Sequence, residues 1–306
     1  MNEARFYGGR WTDRWRDRYF RLAASGVVPA GWYQPDLPPP AARAQRSGRL
    51  HVEIVSHCWN YAHLLVYQLS SLVTFPPADT EVTMTVFWSP EDERTGALLD
   101  YFQGLEVSRV HWNWQPLPRE QLFRRAIGRN RAALASRADW VWFTDCDLLF
   151  RDECLDALAR AVQGRSDTLV FPRQERCTSL LAPDDPILLA GMGHPQLLDI
   201  PEQRFTVRER DRATGPLQIV HGDVARTCGY CDRLAIYQKP SPVWLKTHED
   251  RAFRWLLRTQ GTPLDIPSVY RIRHVHKGRY TGGAVNTGLR SRIRRLTSWL
   301  AERRGG

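Results

Sequence analysis

From Leu50 to Phe150 the chain alternates short apolar runs with amphipathic stretches, and that alternation restricts it to few folds. Residues 52–56 (Val-Glu-Ile-Val-Ser) read as a strand. Asn60 is placed to cap a helix carrying Leu64, Leu65, Tyr67, Leu69 and Leu72. Residues 82–88 alternate as a second strand, 91–102 fit a helix and 107–114 a third strand. A long helix over 119–137 leads into a fourth strand at 140–144. Strands separated by helices at this spacing pair in parallel, because a right-handed crossover lays each helix back on a face of the sheet. The expected fold class is therefore α/β, a Rossmann-like, mostly parallel sheet flanked by helices. Ligands of such sheets bind beyond the carboxyl ends of the strands.

The rest of the 306 residues is less regular. Residues 1–48 read as a basic, aromatic extension closed by a stiff linker, with Pro35, Pro38, Pro39 and Pro40. Residues 49–280 form the expected main domain, in two halves, 49–150 and 151–280. In the second half, 173–216 read as long loops over the sheet edge, 217–220 as a strand, 247–257 as a helix and 270–275 as a short strand. Residues 281–306 form a tail in which Leu289, Ile293, Leu296, Trp299 and Leu300 keep helical spacing among arginines. Such a segment either lies on an anionic membrane surface or docks on the protein's own core.

Net charge is +10, which suits an anionic partner without choosing one. No run of about 18 apolar residues spans a membrane, and Met1-Asn2-Glu3-Ala4-Arg5 leads into no apolar signal region. A cytoplasmic location with reduced thiols follows as the expectation, extended to the inner face of the membrane if the tail touches it. The six cysteines include one CxxC, Cys228 to Cys231, which lacks the second pair of a structural zinc site.

Chemistry concentrates at Asp145-Cys146-Asp147, directly after Trp140-Val141-Trp142-Phe143-Thr144. Two carboxylates at the end of a buried strand repel each other and are costly to desolvate. A hard divalent cation, Mn²⁺ or Mg²⁺, relieves both costs and shares its shell with substrate phosphates. Arg129 and Asn130 stand on or beside the apolar stripe of the preceding helix. They either satisfy neighbouring backbone or reach a nucleotide above the sheet. In His248-Glu249-Asp250, Asp250 either closes a capping box begun by Thr247 or faces inward as a general base. His274 and His276 share one face of a strand and suit a metal shell, and Lys277 and Arg279 beside them suit phosphate.

In their order, several short segments resemble the GT-A-fold glycosyltransferases, especially family-2-like inverting enzymes. They are Ser56-His57-Cys58-Trp59-Asn60, Gly128-Arg129-Asn130-Arg131-Ala132, Ala138-Asp139 running into Asp145-Cys146-Asp147, and His248-Glu249-Asp250. The resemblance covers about His51 to Tyr280 and implies a nucleotide-binding half at 49–150 and an acceptor half at 151–280. It implies that Asp145 faces the donor ribose or metal and that Asp147 ligates the metal, with His276, or else His274, completing the shell. It implies that Ser56, Arg129, Asn130 and Lys277 lie near the nucleotide-sugar, and that Gly222, Asp223 and Glu249 shape the acceptor pocket. Asp250 would deprotonate the acceptor, and Glu249 would hold its hydroxyls. The second strand departs from the family pattern, ending Trp88-Ser89-Pro90-Glu91-Asp92, which leaves Ser89 and Asp92 as candidates for the base contact.

The expected activity is metal-dependent transfer with inversion. The donor is a nucleoside-diphosphate sugar, foremost a UDP-sugar, and the acceptor a hydroxyl of a glycan, a lipid-linked or a small molecule. A retaining transferase shares the fold and acids without a base at Asp250. A basic metal-dependent nuclease or a non-catalytic sugar-binding domain are the alternatives from other classes. Nucleic acid is not the expected partner, because the arginines cluster at the termini.

Overall fold

The structure, a computed structural model, describes residues 6–8, 10–244 and 248–275. Its helices are α1 (Trp11–Leu22), α2 (Ala62–Thr74), α3 (Glu93–Gln103), α4 (Arg119–Leu122), α5 (Arg125–Ala135), α6 (Cys154–Ala161), α7 (Pro186–Gly191), α8 (Gly222–Cys228) and α9 (Glu249–Leu256). Its strands are β1 (His51–His57), β2 (Glu81–Trp88), β3 (Val110–Pro116), β4 (Trp140–Phe143), β5 (Leu148–Phe150), β6 (Leu169–Pro172), β7 (Gln174–Thr178), β8 (Phe205–Glu209), β9 (Gln218–His221), β10 (Thr262–Leu264) and β11 (Val269–Arg271).

The main sheet has seven strands in the order β10-β6-β9-β4-β1-β2-β3. β1 pairs in parallel with both β2 and β4, and β2 with β3, as the strand–helix alternation predicts. β9 alone runs against its neighbours, antiparallel to β4 and to β6. The central strands are apolar on both faces because helices cover both. Val52, Ile54, Val55, Trp142 and Phe143 are all fully buried. No helix among the described residues is long and apolar enough to cross a membrane.

Four expectations change. The helix expected over 119–137 is broken between α4 and α5, where Arg124 leaves helical geometry (φ −111°, ψ 85°). Its buried guanidinium donates to the Ile236 carbonyl at 2.8 Å and lies 4.8 Å over the Tyr7 ring. Asn60 does not cap α2. It sits at φ +55°, and its backbone N–H donates to Asp92 Oδ2 at 2.6 Å. The stretch 173–216 is not a set of loops, since it contributes β7 and β8 to a second sheet of order β5-β11-β7-β8.

Residues 10–48, finally, are neither a free extension nor a linker. Ala24, Val28 and Gln34 offer backbone carbonyls to Arg251, Trp255 and Arg258, which follow one another along α9 and its end. Arg43 ties the proline segment to the Ser166 carbonyl at 2.5 Å. The tail over 281–306 lies outside the described residues.

Candidate active site

The acid pair stands where the chain leaves β4. Thr144 N–H still bonds the Val55 carbonyl at 3.0 Å, holding Asp145 just past the carboxyl edge of the sheet. Below it, α5 presents two arginines one helical turn apart. The Arg125 guanidinium bonds Asp145 Oδ1 through Nη1, and its Nε donates to Glu249 Oε1 at 3.2 Å. Arg129 donates to the Thr144 carbonyl at 3.1 Å and reaches Asp145 Oδ1 at 3.4 Å. Burial alone would lower the Arg125 pKa, but the Asp145 and Glu249 carboxylates outweigh it and hold the group above its ordinary value. One buried cation therefore joins the end of β4 to the head of α9, across 124 residues of chain.

At that head the two acids differ. The Glu249 side chain is 1% accessible and bonded to Arg125. The Asp250 side chain is 35% accessible, with Arg254 Nη1 at 3.8 Å from its Oδ2. A Cβ added at Gly215 would stand 3.7 Å from Asp250 Cβ, so a glycine keeps that flank open. The Asp250 carbonyl accepts from Gln218 Nε2 at 3.0 Å, which fixes the backbone there.

Asp147 is held by the second sheet. Ile272 N–H bonds its carbonyl at 2.9 Å, because β5 and β11 pair antiparallel directly after it. Its Oδ2 is 3.7 Å from Arg271 Nε, while its Oδ1 is buried with no hydrogen-bond partner. Burial would lower the Arg271 pKa, but Asp147, Glu175 and Asp145 together raise it. An orphaned buried carboxylate oxygen suits a hard cation, which with phosphate and water ligands needs only one or two protein carboxylates. Among the described residues no group of three or more His, Cys, Asp or Glu is arranged to hold a metal. The donor set therefore fits an ion bound mainly through Asp147, with Asp145 already committed to arginines.

Other expected site residues stand elsewhere or are covered. Ser56 is fully buried and donates to Gln68 Oε1, so it stabilises β1 against α2 and offers nothing to a ligand. Ser89 is 1% accessible and turns its oxygen to Glu91 N–H. Arg129 is fully buried beneath Asp145, with Tyr230 Oη at 2.9 Å, so it positions the acid and does not touch a nucleotide. The Asn130 amide is spent on Asp232 Oδ1 at 2.7 Å and Tyr230 N–H at 2.8 Å, which is the backbone-satisfying alternative.

Gly222 and Asp223 lie at the opposite edge of the sheet. β9 is antiparallel, so its end at His221 faces Trp140, the start of β4. There Asp223 accepts from Ala44 N–H at 2.7 Å and Arg226 at 2.6 Å. Glu249, expected at acceptor hydroxyls, is closed off by Arg125. His274 is 4% accessible, edge-on to Tyr61 with ring centroids 5.4 Å apart, and lies on the stretch that follows β11. His276 and Lys277 fall outside the described residues.

Arg125 and Arg271 are absent from the expected set, whereas Cys228-Gly229-Tyr230 resembles the family segment that shapes the acceptor pocket. Tyr230 stacks on Phe253 of α9 at 4.2 Å and donates to Gln218 Oε1 at 2.9 Å, so it packs α9 against β9. The available signal was the spacing of Arg125 and Arg129, one turn apart on a helix that runs into an acid-tipped strand.

Residues 91–211 match the family model described as glycosyl transferase family 2, a span holding Arg125, Arg129, Asp145 and Asp147 but neither Glu249 nor Asp250. No curated protein matches the sequence. Among solved structures, the chain is similar to the mannosyltransferase PcManGT from Pyrobaculum calidifontis in complex with GDP-Man and Mn²⁺. Identity there is 17%, covering 88% of this chain and 70% of that one, with a TM-score of 0.43. It is also similar to S. aureus TarS 1-349 in complex with UDP-GlcNAc, at 13% identity over 76% of this chain and TM-score 0.45, and spans 62% of that chain. Over residues 91–211, which hold the acid pair and its arginines, the chain resembles the family-2 glycosyl transferases.

Proposed function

We propose that the protein transfers a sugar from a nucleoside-diphosphate sugar to an acceptor hydroxyl with inversion, using Asp250 as general base. The observation that carries this reading is the Arg125 bridge. It holds the strand-end acid Asp145 and the α9 acid Glu249 on one guanidinium, and so brings the accessible Asp250 to the carboxyl edge of the sheet. A carboxylate there, with its backbone fixed by Gln218 and one flank kept open by Gly215, is placed to take the proton of an attacking hydroxyl. Attack opposite the leaving group in one displacement inverts the anomeric centre.

Mn²⁺ or Mg²⁺ would be held by Asp147 through its uncommitted Oδ1, and would neutralise charge on the departing diphosphate. Arg125 and Arg129 hold Asp145 in place beside it. A UDP-sugar is the first donor to test, with glycan, lipid-linked and small-molecule hydroxyls as acceptors.

Asp250→Asn should cut transfer by about 10²–10⁴-fold, the usual worth of a general base, while nucleotide-sugar binding by calorimetry stays near that of the unaltered protein. Asp147→Asn should weaken Mn²⁺ binding and metal-dependent donor hydrolysis together. Full transfer activity in Asp250→Asn, or a product of retained configuration by NMR, would remove the base assignment.

A further inference from the structure

The apolar stripe of α1 faces the wrong way for a helix packed on a core. Trp11, Trp15 and Tyr19 recur four residues apart, Leu22 follows three further on, and they are 79%, 62%, 43% and 61% accessible. Trp32, in the turn beyond, is 75% accessible. Trp11, Trp15, Tyr19 and Leu22 form one outward row, since positions four and three apart share a helix face.

The charges of α1 are sorted across the same axis. Asp13 is fully buried and accepts from Lys239 at 2.9 Å. Asp17 is turned partly inward, where burial raises its pKa. Arg10, Arg14, Arg16, Arg18 and Arg21 are all exposed. None of the five has a carboxylate within ion-pair distance among the described residues, and Arg18 lies 5.7 Å over the Trp15 ring. A helix that buries its acids and exposes tryptophan with arginine carries an outer face suited to one medium. Indole and phenol rings settle at the boundary between headgroups and acyl chains, and arginines meet anionic headgroups.

A cleft of about 520 Å³ adjoins the row, lined by Trp15, Arg16, Tyr19, Phe20, Arg233 and Ile236 among others. Arg233 there is paired with Asp36 at 3.0 Å, which leaves Arg16, beside the aromatic walls, as the place for an anionic headgroup with the start of its acyl chains. The supporting argument is charge complementarity: on α1 itself, tryptophan rings flanked by five arginines without ion-pair partners among the described residues meet a surface that is both negative and apolar beneath.

We propose that the outer face of α1 docks the protein on an anionic lipid bilayer, with Trp11, Trp15, Leu22 and Trp32 entering the interface and the arginines on the headgroups. The claim stands on surface chemistry alone and is independent of the transferase reading.

The test is co-sedimentation of the full chain with large unilamellar vesicles of phosphatidylcholine alone and of phosphatidylcholine with 30 mol% phosphatidylglycerol (a composition of about this charge, chosen as a typical anionic leaflet). The full chain should bind the anionic vesicles at least tenfold more tightly than the neutral ones. Trp11→Ser/Trp15→Ser should lose at least tenfold on anionic vesicles with an unchanged circular dichroism spectrum, because neither ring packs on the core. A chain ending at Gly288 should retain α1-dependent binding, separating this face from the basic tail. Equal binding by the double variant and the unaltered protein would overturn the proposal. So would absence of vesicle binding together with a dimer, by light scattering, that the double variant dissociates. That last result would assign the face to a second copy of the chain.

Discussion

Removing Arg125 should loosen two elements at once. Arg125→Met keeps an unbranched stem in place of the aliphatic part of arginine and deletes the charge that Asp145 and Glu249 share. Breaking a buried ion pair from one side costs ~3–5 kcal/mol, because the partner charge stays desolvated. Glu249 meets that condition at 1% accessibility, whereas the Arg125 and Asp145 side chains are 20% and 17% accessible and gain some solvent screening. The expected loss is therefore about 2–3 kcal/mol. For 306 residues it lowers the melting temperature by about 3–5 °C in a scan followed by circular dichroism. Glu249→Gln alone should cost less, about 1–2 kcal/mol, since Asp145 remains to hold the guanidinium. The two changes together should fall short of their sum by about 1–2 kcal/mol, because both remove one interaction. Donor hydrolysis should fall further in Arg125→Met than in Glu249→Gln, as only the former frees Asp145 to move. A melting curve of Arg125→Met indistinguishable from that of the unaltered protein, or strict additivity in the double variant, would refute the bridge as the link between β4 and α9.

Two further predictions concern stability. Burial pushes the Asp156 pKa up, but hydrogen bonds from Ala78 N–H, Thr80 Oγ and Asp79 N–H outweigh it and bring the pKa below the ordinary 3.8. Its contribution is thus complete above that value and disappears as pH falls through the folded-state pKa. Asp156→Ala should cost about 3 kcal/mol at neutral pH and flatten the acid limb of the stability profile, measured by urea titration from pH 7 to pH 3. Gly222→Ala should fail to fold or melt far lower, since the new Cβ would overlap the Ala138 carbonyl oxygen and stand 2.9 Å from that of Asp139, both main-chain atoms. Any soluble fraction should keep its acceptor KM, because Gly222 is at the far edge of the sheet.

What the sequence made legible follows from how strongly each element depends on local pattern. β1, β2 and β4 are strongly apolar runs, and their parallel pairing follows from the helices between them. The direction of β9 is not written in Gln218-Ile219-Val220-His221, because a buried strand reads the same run both ways. That single reversal puts Gly222 and Asp223 at the wrong edge for an acceptor pocket. The second sheet was hidden because β7 and β8 are short, polar and set among prolines, where pairing with β11 supplies the order that local preference does not. At the site, Asp145 and Asp147 stood out because adjacent buried acids demand compensation. Part of that compensation, Arg125 and Arg271, did not. An arginine on a helix or a strand usually points to water, and only the approach of α9 and β7 turns these two inward.

The belt formed by residues 24–34 offers three main-chain carbonyl oxygens, of Ala24, Val28 and Gln34, to side chains of α9 and the residues just past it, and adds the Tyr33 ring 5.5 Å from that of Trp255. At the three carbonyl positions the hydrogen bonds depend on the backbone path and not on side-chain identity, whereas Tyr33 is tied by its ring and Gln34 by its burial. The donors are Arg251, Trp255 and Arg258. A protein cut back to its main domain would strand those donors on the very helix whose first turn bears Asp250, so trimming an apparent accessory should cost catalysis before it costs solubility.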